Sequence, residues 1–354
     1  MTSNVSIGVI GLGYWGPNHV RNLVALGSEG ALIKAVADRD PARRLRIERQ
    51  YPQLTVLNDA EAIIADPTID AVVVATPVST HYGLTKAALE AGKHVLVEKP
   101  MVASLAHGKD LIRIAKEREL TLMAGHTFLY TAAVNRMRDL VAAGDLGEVM
   151  TVRSLRVNLG LYQHDINVLW DLAPHDISIL LYVLNDVPVE VSAVGSAHLT
   201  KRVEDVVTLT LFFRSGVTAT TVLSWLDPRK VREMTVIGSK KMLVYDDIST
   251  TEKIRIFDKG VDGPREYETF GEFQYSYRYG DITSPMLTEI EPLREELLDF
   301  VNSIQYSKTP KASAESALDV VRTLAAAQLS INQRGAPVQL DDPLVSGMHG
   351  VRSK

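Results

Sequence analysis

One segment constrains this chain more than any other: VSIGVIGLGYWGPNHVRNLVAL, residues 5–26. A short run rich in β-branched residues ends at Ile10. Glycines follow at 11, 13 and 16, and then a helical pattern begins. Between a strand and a helix, each glycine has a physical task. Gly11 permits the tight turn, Gly13 lets the backbone approach a pyrophosphate, and Gly16 lets helix and strand pack closely. The helix start then offers free N–H groups and a positive dipole end to phosphates. The expected ligand is a dinucleotide.

A second strand pattern, ALIKAVAD, ends at Asp38, 22 residues after Gly16. A carboxylate there is placed to accept hydrogen bonds from both hydroxyls of an adenosine ribose, and it repels a 2′-phosphate. NAD is therefore the expected cofactor. Arg39 follows directly and is suited to that phosphate, which keeps NADP as the alternative.

Helical and strand patterns keep alternating: helix 41–50, strand 54–57, helix 59–65, strand 71–76, helix 79–91, strand 94–98, helix 104–117 and strand 120–126. Such alternation implies a doubly wound parallel sheet with its ligand at the carboxyl ends of the strands. Three loops at that edge carry suggestive residues. They are Thr76, Pro77 and His81 in ATPVSTH, Glu98 and Lys99 in EKP, and His126 in GHTF. Tyr14 and Trp15 in the glycine loop are expected on the cofactor side. From about residue 128 the rhythm changes to consecutive strand patterns, among them VVTLTLFF and GVTATTVLSWL, with helical segments near 289–306 and 313–330. The expected architecture is an α/β Rossmann domain over 1–127, then an α+β domain with a large, mostly antiparallel open sheet over 128–340. A loose tail over 341–354 is expected to end the chain.

Composition excludes several classes. A formal net charge of −5 gives no reason to expect nucleic acid or an anionic membrane as partner. Without cysteine there are no disulfides, thiolate metal sites or cysteine nucleophiles, which fits a reducing compartment. The N-terminus lacks a basic signal-peptide region, and no apolar run approaches bilayer length, so the expectation is a cytoplasmic protein. No cluster of His, Asp or Glu has ligand spacing that calls for a metal.

The stretch WDLAPHDISIL, residues 170–180, places His175 between two acids at the start of an apolar segment. With a helix starting near Asp171, Asp171 and His175 share a face. The pair suits acid/base work: imidazole exchanges a proton near neutrality, and a carboxylate fixes its tautomer. Asp176 reads as a cap or a supporting residue.

The chain resembles the Gfo/Idh/MocA oxidoreductases over nearly its whole length. The resemblance rests on GLGYWG, ATPVSTH, AGKHVLVEKP at 91–100 and the Asp-x-x-x-His of DLAPH at 171–175. It implies a nicotinamide-binding Rossmann domain and a second domain whose open sheet serves substrate binding and oligomer contacts, as a homodimer or homotetramer. It also implies that Lys99 is the catalytic lysine, Asp171 the carboxylate and His175 the acid/base, with Lys99 also touching cofactor and substrate. Pro174 stands where many members have glycine; a place in the helix's first turn would accommodate it. Phe128 and Tyr130 also depart from the family pattern, in a segment that often faces substrate.

The resemblance implies a secondary alcohol of a sugar or nucleotide-linked sugar as substrate, with C3 of a UDP-N-acetylhexosaminuronate the preferred reading. Substrate contacts are expected from His126, Arg156, Asn158, Tyr277 and Arg278, supported by Arg153, Tyr275 and Tyr279. The alternatives are an inositol or free-sugar dehydrogenase, and a non-catalytic NAD-binding sensor, which has no need for Lys99, Asp171 and His175 together.

Overall fold

The structure is a computed structural model that describes residues 4–160, 162, 166–262, 276–288 and 290–350. The chain divides into two compact units. The first comprises Met1–Thr131, Ile290–Ala325 and Pro343–Lys354, and the second Ala132–Glu289 and Ala326–Asp342.

In the first unit, strands β1 (Val5–Ile10), β2 (Ala31–Ala37), β3 (Thr55–Leu57), β4 (Ala71–Val74), β5 (His94–Glu98) and β6 (Leu122–Gly125) alternate with helices. The helices are α1 (Gly16–Ala25), α2 (Pro41–Gln50), α3 (Ala60–Ala65), α4 (Val78–Glu90) and α5 (Leu105–Glu117). The sheet order is β3-β2-β1-β4-β5-β6, and every pairing is parallel. Its order reverses between β1 and β4, the crevice where doubly wound sheets bind nucleotides. β1 and β4 are buried at every position, as expected of strands with helices on both faces. Helix starts follow their side chains: the Asp40 carboxylate accepts from the Ala42 N–H at 2.8 Å, with Pro41 opening α2.

Helix α8 (Pro292–Tyr306) belongs to this unit although it lies far along the chain. Phe300 is fully buried, Tyr130 donates its hydroxyl to Asp299 at 2.7 Å, and Asn22 donates to Glu291 at 2.9 Å. Residues 343–350 are not the loose tail expected. Val345 is buried, and the Gly350 N–H donates to the Ala103 carbonyl at 2.9 Å.

The second unit holds α6 (Ala132–Ala142), β7 (Val149–Leu159), α7 (Val168–Leu184), β8 (Pro188–Ser196), β9 (Val206–Phe213) and β10 (Thr218–Ser224). It continues with β11 (Leu226–Gly238), β12 (Met242–Asp246), β13 (Ile254–Asp262), β14 (Ser276–Thr283) and β15 (Val338–Gln339). Helix α9 (Ala314–Asn332) runs from the first unit into the second. The nine-stranded order is β14-β13-β12-β11-β7-β10-β9-β8-β15, antiparallel except for β7 with β10. β9 alternates strictly, with Val207, Leu209, Leu211 and Phe213 buried and the intervening residues half-buried. α7 packs on β7, β9 and β10. The other face carries a short apolar cross-strand row over β11–β14, Ile237, Met242, Phe257 and Ile282, which continues through Thr151 on β7 and Thr218 on β10 to Phe212 on β9.

No helix among the described residues is long and apolar enough to cross a membrane.

Candidate active site

The glycine loop has the shape its sequence promised. Gly11 sits at φ 98°, and a Cβ there would come within 2.4 Å of the Ala75 carbonyl oxygen. A Cβ on Gly16 would lie 2.0 Å from the Gly11 carbonyl oxygen. Gly13 differs: its nearest neighbour would be an Arg43 nitrogen at 3.7 Å, so the protein leaves that space open. Two glycines close the turn and one faces an opening, which is what a pyrophosphate requires. Tyr14 and Trp15 stand exposed beside it with their rings edge to face.

Asp38, expected to meet the ribose, directly follows β2 at the carboxyl edge of the sheet. One oxygen accepts from the Leu12 N–H at 2.6 Å and the other from the Asp40 N–H at 2.8 Å. Each carboxylate oxygen has two lone pairs, so both can still accept a ribose hydroxyl. Arg39 is exposed at the same turn. Arg43 is a residue the sequence reading passed over: its guanidinium lies 3.5 Å from Asp38, beside Gly13. The only signal for it was its place in the first turn of the helix after the acid. Asp38→Ser should therefore shift the NAD/NADP affinity ratio toward NADP by at least about tenfold, because it removes the anion and leaves Arg39 and Arg43 beside the position of a 2′-phosphate. Titration of both cofactors into the two proteins measures it; an unchanged ratio counts against Asp38.

The ends of β4, β5 and β6 form the other half of the edge. His81 is buried; one ring nitrogen lies 2.8 Å from the Thr76 carbonyl and the other 3.0 Å from the Pro100 carbonyl. It ties the loop after β4 to the EKP loop, and burial pulls its pKa down against those two carbonyls. Pro77 caps α4, and the Thr76 hydroxyl accepts from Thr80. Glu98 is buried and takes hydrogen bonds from the His19 ring at 2.8 Å and the Lys99 N–H at 3.2 Å. The half-buried Lys99 follows it at the carboxyl end of β5. His126 is buried at the end of β6 with its pKa pushed down to about 4 by burial, so it is a neutral group within the wall. Tyr130, also singled out, is buried against Asp299 and pins α8. Phe128 lies half-buried in the same turn.

In the second unit, helix α7 starts earlier than expected. Asn167 caps it, its side chain accepting from the Trp170 N–H at 3.1 Å. Asp171 and His175 are still one turn apart on one face, both half-buried. Pro174, however, falls inside the helix rather than in its first turn. Lacking an N–H, it leaves the Trp170 carbonyl without its usual donor four residues on. Trp225, unnoticed in the sequence, donates its indole N–H to Asp171 at 3.1 Å. That bond fixes one oxygen of the carboxylate.

Other expected contacts are distributed differently. Arg156 and Asp176 are a buried ion pair, and Ser154 donates to the same carboxylate at 2.5 Å. The pair locks α7 onto β7, so Asp176 supports the helix and Arg156 is only 4% exposed. Arg153, three residues away, is on the opposite, exposed face, as strand alternation demands. Asn158 is half-buried near the end of β7. Tyr277, Arg278 and Tyr279 lie on the edge strand β14, with β11, β12 and β13 between them and β7. At strand spacings of about 4.8 Å, that puts them roughly 19 Å from β7. Arg278 is bound to Asp258 at 3.0 Å. Tyr275 lies outside the described residues. Among the described residues, no group of three or more His, Asp or Glu could hold a metal.

Comparisons with known proteins agree with this arrangement. Residues 5–126 match the model of the oxidoreductase family with NAD-binding Rossmann fold, and 134–244 match the GFO/IDH/MocA C-terminal domain. The chain is 29% identical over 257 residues to UDP-N-acetylglucosamine 3-dehydrogenase of Acidithiobacillus ferrooxidans, spanning 72% of this chain and 77% of that one. A solved structure of the Acidithiobacillus ferrooxidans enzyme of that name superimposes with a TM-score of 0.78 at 23% identity, covering 93% of this chain and 98% of the other. Myo-inositol 2-dehydrogenase of Thermotoga maritima is 26% identical over 338 residues, 87% of this chain and 91% of its own. The match to the uncharacterized oxidoreductase YdgJ of Escherichia coli is 34% identical but spans only 42% of either chain. The two matches together cover most of the chain, including the glycine loop, the EKP edge and the Asp-x-x-x-His helix, and the chain belongs to the Gfo/Idh/MocA family of NAD(P)-dependent oxidoreductases.

Proposed function

We propose that this protein oxidises a secondary alcohol of a nucleotide-linked sugar, with C3 of a UDP-N-acetylhexosaminuronate as the preferred substrate position. The observation that carries the chemistry is the Asp171–His175 pair on α7, its carboxylate held by the Trp225 indole. In this reading His175 takes the hydroxyl proton and Asp171 fixes the imidazole tautomer. Lys99 supplies positive charge to the developing alkoxide. A nicotinamide cofactor held at the glycine loop would supply the hydride acceptor. The substrate class draws support from the likeness to the Acidithiobacillus enzyme. A specific observation also favours the inositol alternative: the Thermotoga relative aligns over more of the chain. Incubation with NAD and, separately, UDP-N-acetylglucosaminuronate, UDP-N-acetylglucosamine and myo-inositol decides between them through NADH absorbance. Turnover of inositol with no binding of either nucleotide sugar overturns the nucleotide-sugar reading.

The protein works as a homodimer or homotetramer in this proposal. The apolar row across β11–β14 supports it, because apolar side chains gathered on one sheet face are costly to leave in water. Light scattering at micromolar concentration should give at least twice the 38.9 kDa chain mass; a monomer refutes the assembly.

A further inference from the structure

Four buried ionisable groups stand behind the EKP edge of the first unit, and the proposed chemistry uses none of them directly. Glu98 is 7% exposed, His19 and Glu296 are fully buried and His126 is 2% exposed. They arrive from four elements: α1, the end of β5, the end of β6 and α8. Their surroundings differ in a way that sorts their charges.

Glu98 has donors on both oxygens, the His19 ring on one and the Lys99 N–H on the other. Its carboxyl group also lies against the backbone of Gly125, where a Cβ would come within 3.1 Å of one oxygen. Glu296 has a single donor, the Thr127 hydroxyl at 3.0 Å, and its other oxygen has no partner among the described residues. Neither ring nitrogen of His126 has a partner there either. A buried charge needs donors or a counter-charge, and a group without them gives up its charge instead. Burial raises Glu98, but the hydrogen bonds from the His19 ring and the Lys99 N–H, with the nearby Lys99 ammonium, outweigh it and hold the carboxyl below the usual range. Burial, reinforced by the charge of Glu98, pushes Glu296 well above that range. Glu98 is therefore the cluster's anion, and Glu296 and His126 are neutral.

The position of that anion gives it a function. The crevice opens between β1 and β4, with the ribose acid Asp38 beside β2. The adenosine half of a dinucleotide then occupies the β1–β2 side, and the nicotinamide half occupies the edge of β4, β5 and β6, where Glu98 ends β5. Oxidised nicotinamide carries a positive ring and the reduced ring is neutral. A fixed anion near that edge interacts with one state and not with the other.

We propose that Glu98, held in place by His19, is a redox discriminator that makes this protein bind the oxidised cofactor more tightly relative to the reduced one. The proposal rests on cofactor binding alone, so its test stands whatever the substrate proves to be. Glu98→Gln keeps the shape and removes the charge. The amide can turn its oxygen to the Lys99 N–H and its NH₂ to the His19 ring. The second His19 nitrogen has no partner among the described residues, which leaves the ring free to change tautomer.

The experiment measures dissociation constants for NAD⁺ and NADH by calorimetry in wild type, Glu98→Gln, Glu98→Asp and Glu296→Gln. In Glu98→Gln the ratio Kd(NADH)/Kd(NAD⁺) should fall by about tenfold, the scale of one unit charge acting across several ångströms of protein. Glu98→Asp keeps the charge and should stay within about threefold of wild type. Glu296→Gln replaces a neutral acid by a neutral amide and should leave the ratio unchanged. An unchanged ratio in a folded Glu98→Gln overturns the proposal, and so does a Glu296→Gln effect as large as that of Glu98→Gln. Should Glu98→Gln fail to fold, His19→Leu carries the test, because a buried carboxylate without its ring donor takes up a proton. The ratio then falls in the same direction, and an unchanged ratio overturns the proposal equally.

Discussion

Lys99→Ala and His175→Ala are each expected to lower turnover by about a hundredfold or more, the usual scale for lost oxyanion stabilisation or acid/base catalysis. The dissociation constant for NAD should move by less than about threefold in His175→Ala, since that group acts on a proton transferred during reaction. Steady-state kinetics with the substrate found by the NADH assay, together with calorimetric titration of NAD, checks both halves. Near-normal turnover in either variant removes the assigned role. A fall in NAD affinity equal to the fall in turnover shows that the residue holds the cofactor rather than the reaction. Asp171 needs a different control. Its carboxylate is tied to the Trp225 indole, so Asp171→Asn disturbs both a charge and an anchor.

Much of this site is legible in the sequence because the responsible interactions are local. Gly11, Gly13 and Gly16 act within one turn, Asp38 directly follows the next strand, and Lys99 follows a strand that is wholly apolar from Val95 to Val97. Periodicity marks all six strands of the parallel sheet, since strands covered on both faces are short apolar runs. What stays hidden depends on partners distant in the chain. Trp225 lies 54 residues from Asp171, and Glu296 lies 169 from Thr127. Within α8, Glu296 looks like any solvent-facing acid, and nothing local indicates that the helix packs it inside the first unit. Arg156 misled for a related reason. A lone arginine on a strand near an active segment suggests a substrate contact, and only the fold shows that Asp176 claims it. The start of α7 is not legible because Asn167 caps from within a polar stretch, and the earlier start puts Pro174 in the helix interior rather than in its first turn.

The glycine loop yields the other large effect, and it separates binding from stability. Gly16→Ala should cost about 1–3 kcal/mol of stability, the scale of overpacking a closed site, because its Cβ would lie 2.0 Å from the Gly11 carbonyl oxygen. NAD affinity should fall with it, since the carbonyl and the turn around it must move. Gly13→Ala should behave differently. Its Cβ meets only an Arg43 nitrogen, at 3.7 Å, and no positive φ makes alanine strained there. Stability should therefore stay within about 0.5 kcal/mol of wild type. NAD binding should nevertheless weaken by tenfold or more (about 1.4 kcal/mol), because the methyl group occupies space through which the backbone approaches the pyrophosphate. Thermal unfolding and NAD titration of the two variants make the comparison. A Gly13→Ala protein that binds NAD as well as wild type removes the pyrophosphate from that opening. One that is as unstable as Gly16→Ala shows that Gly13 serves the fold rather than the ligand.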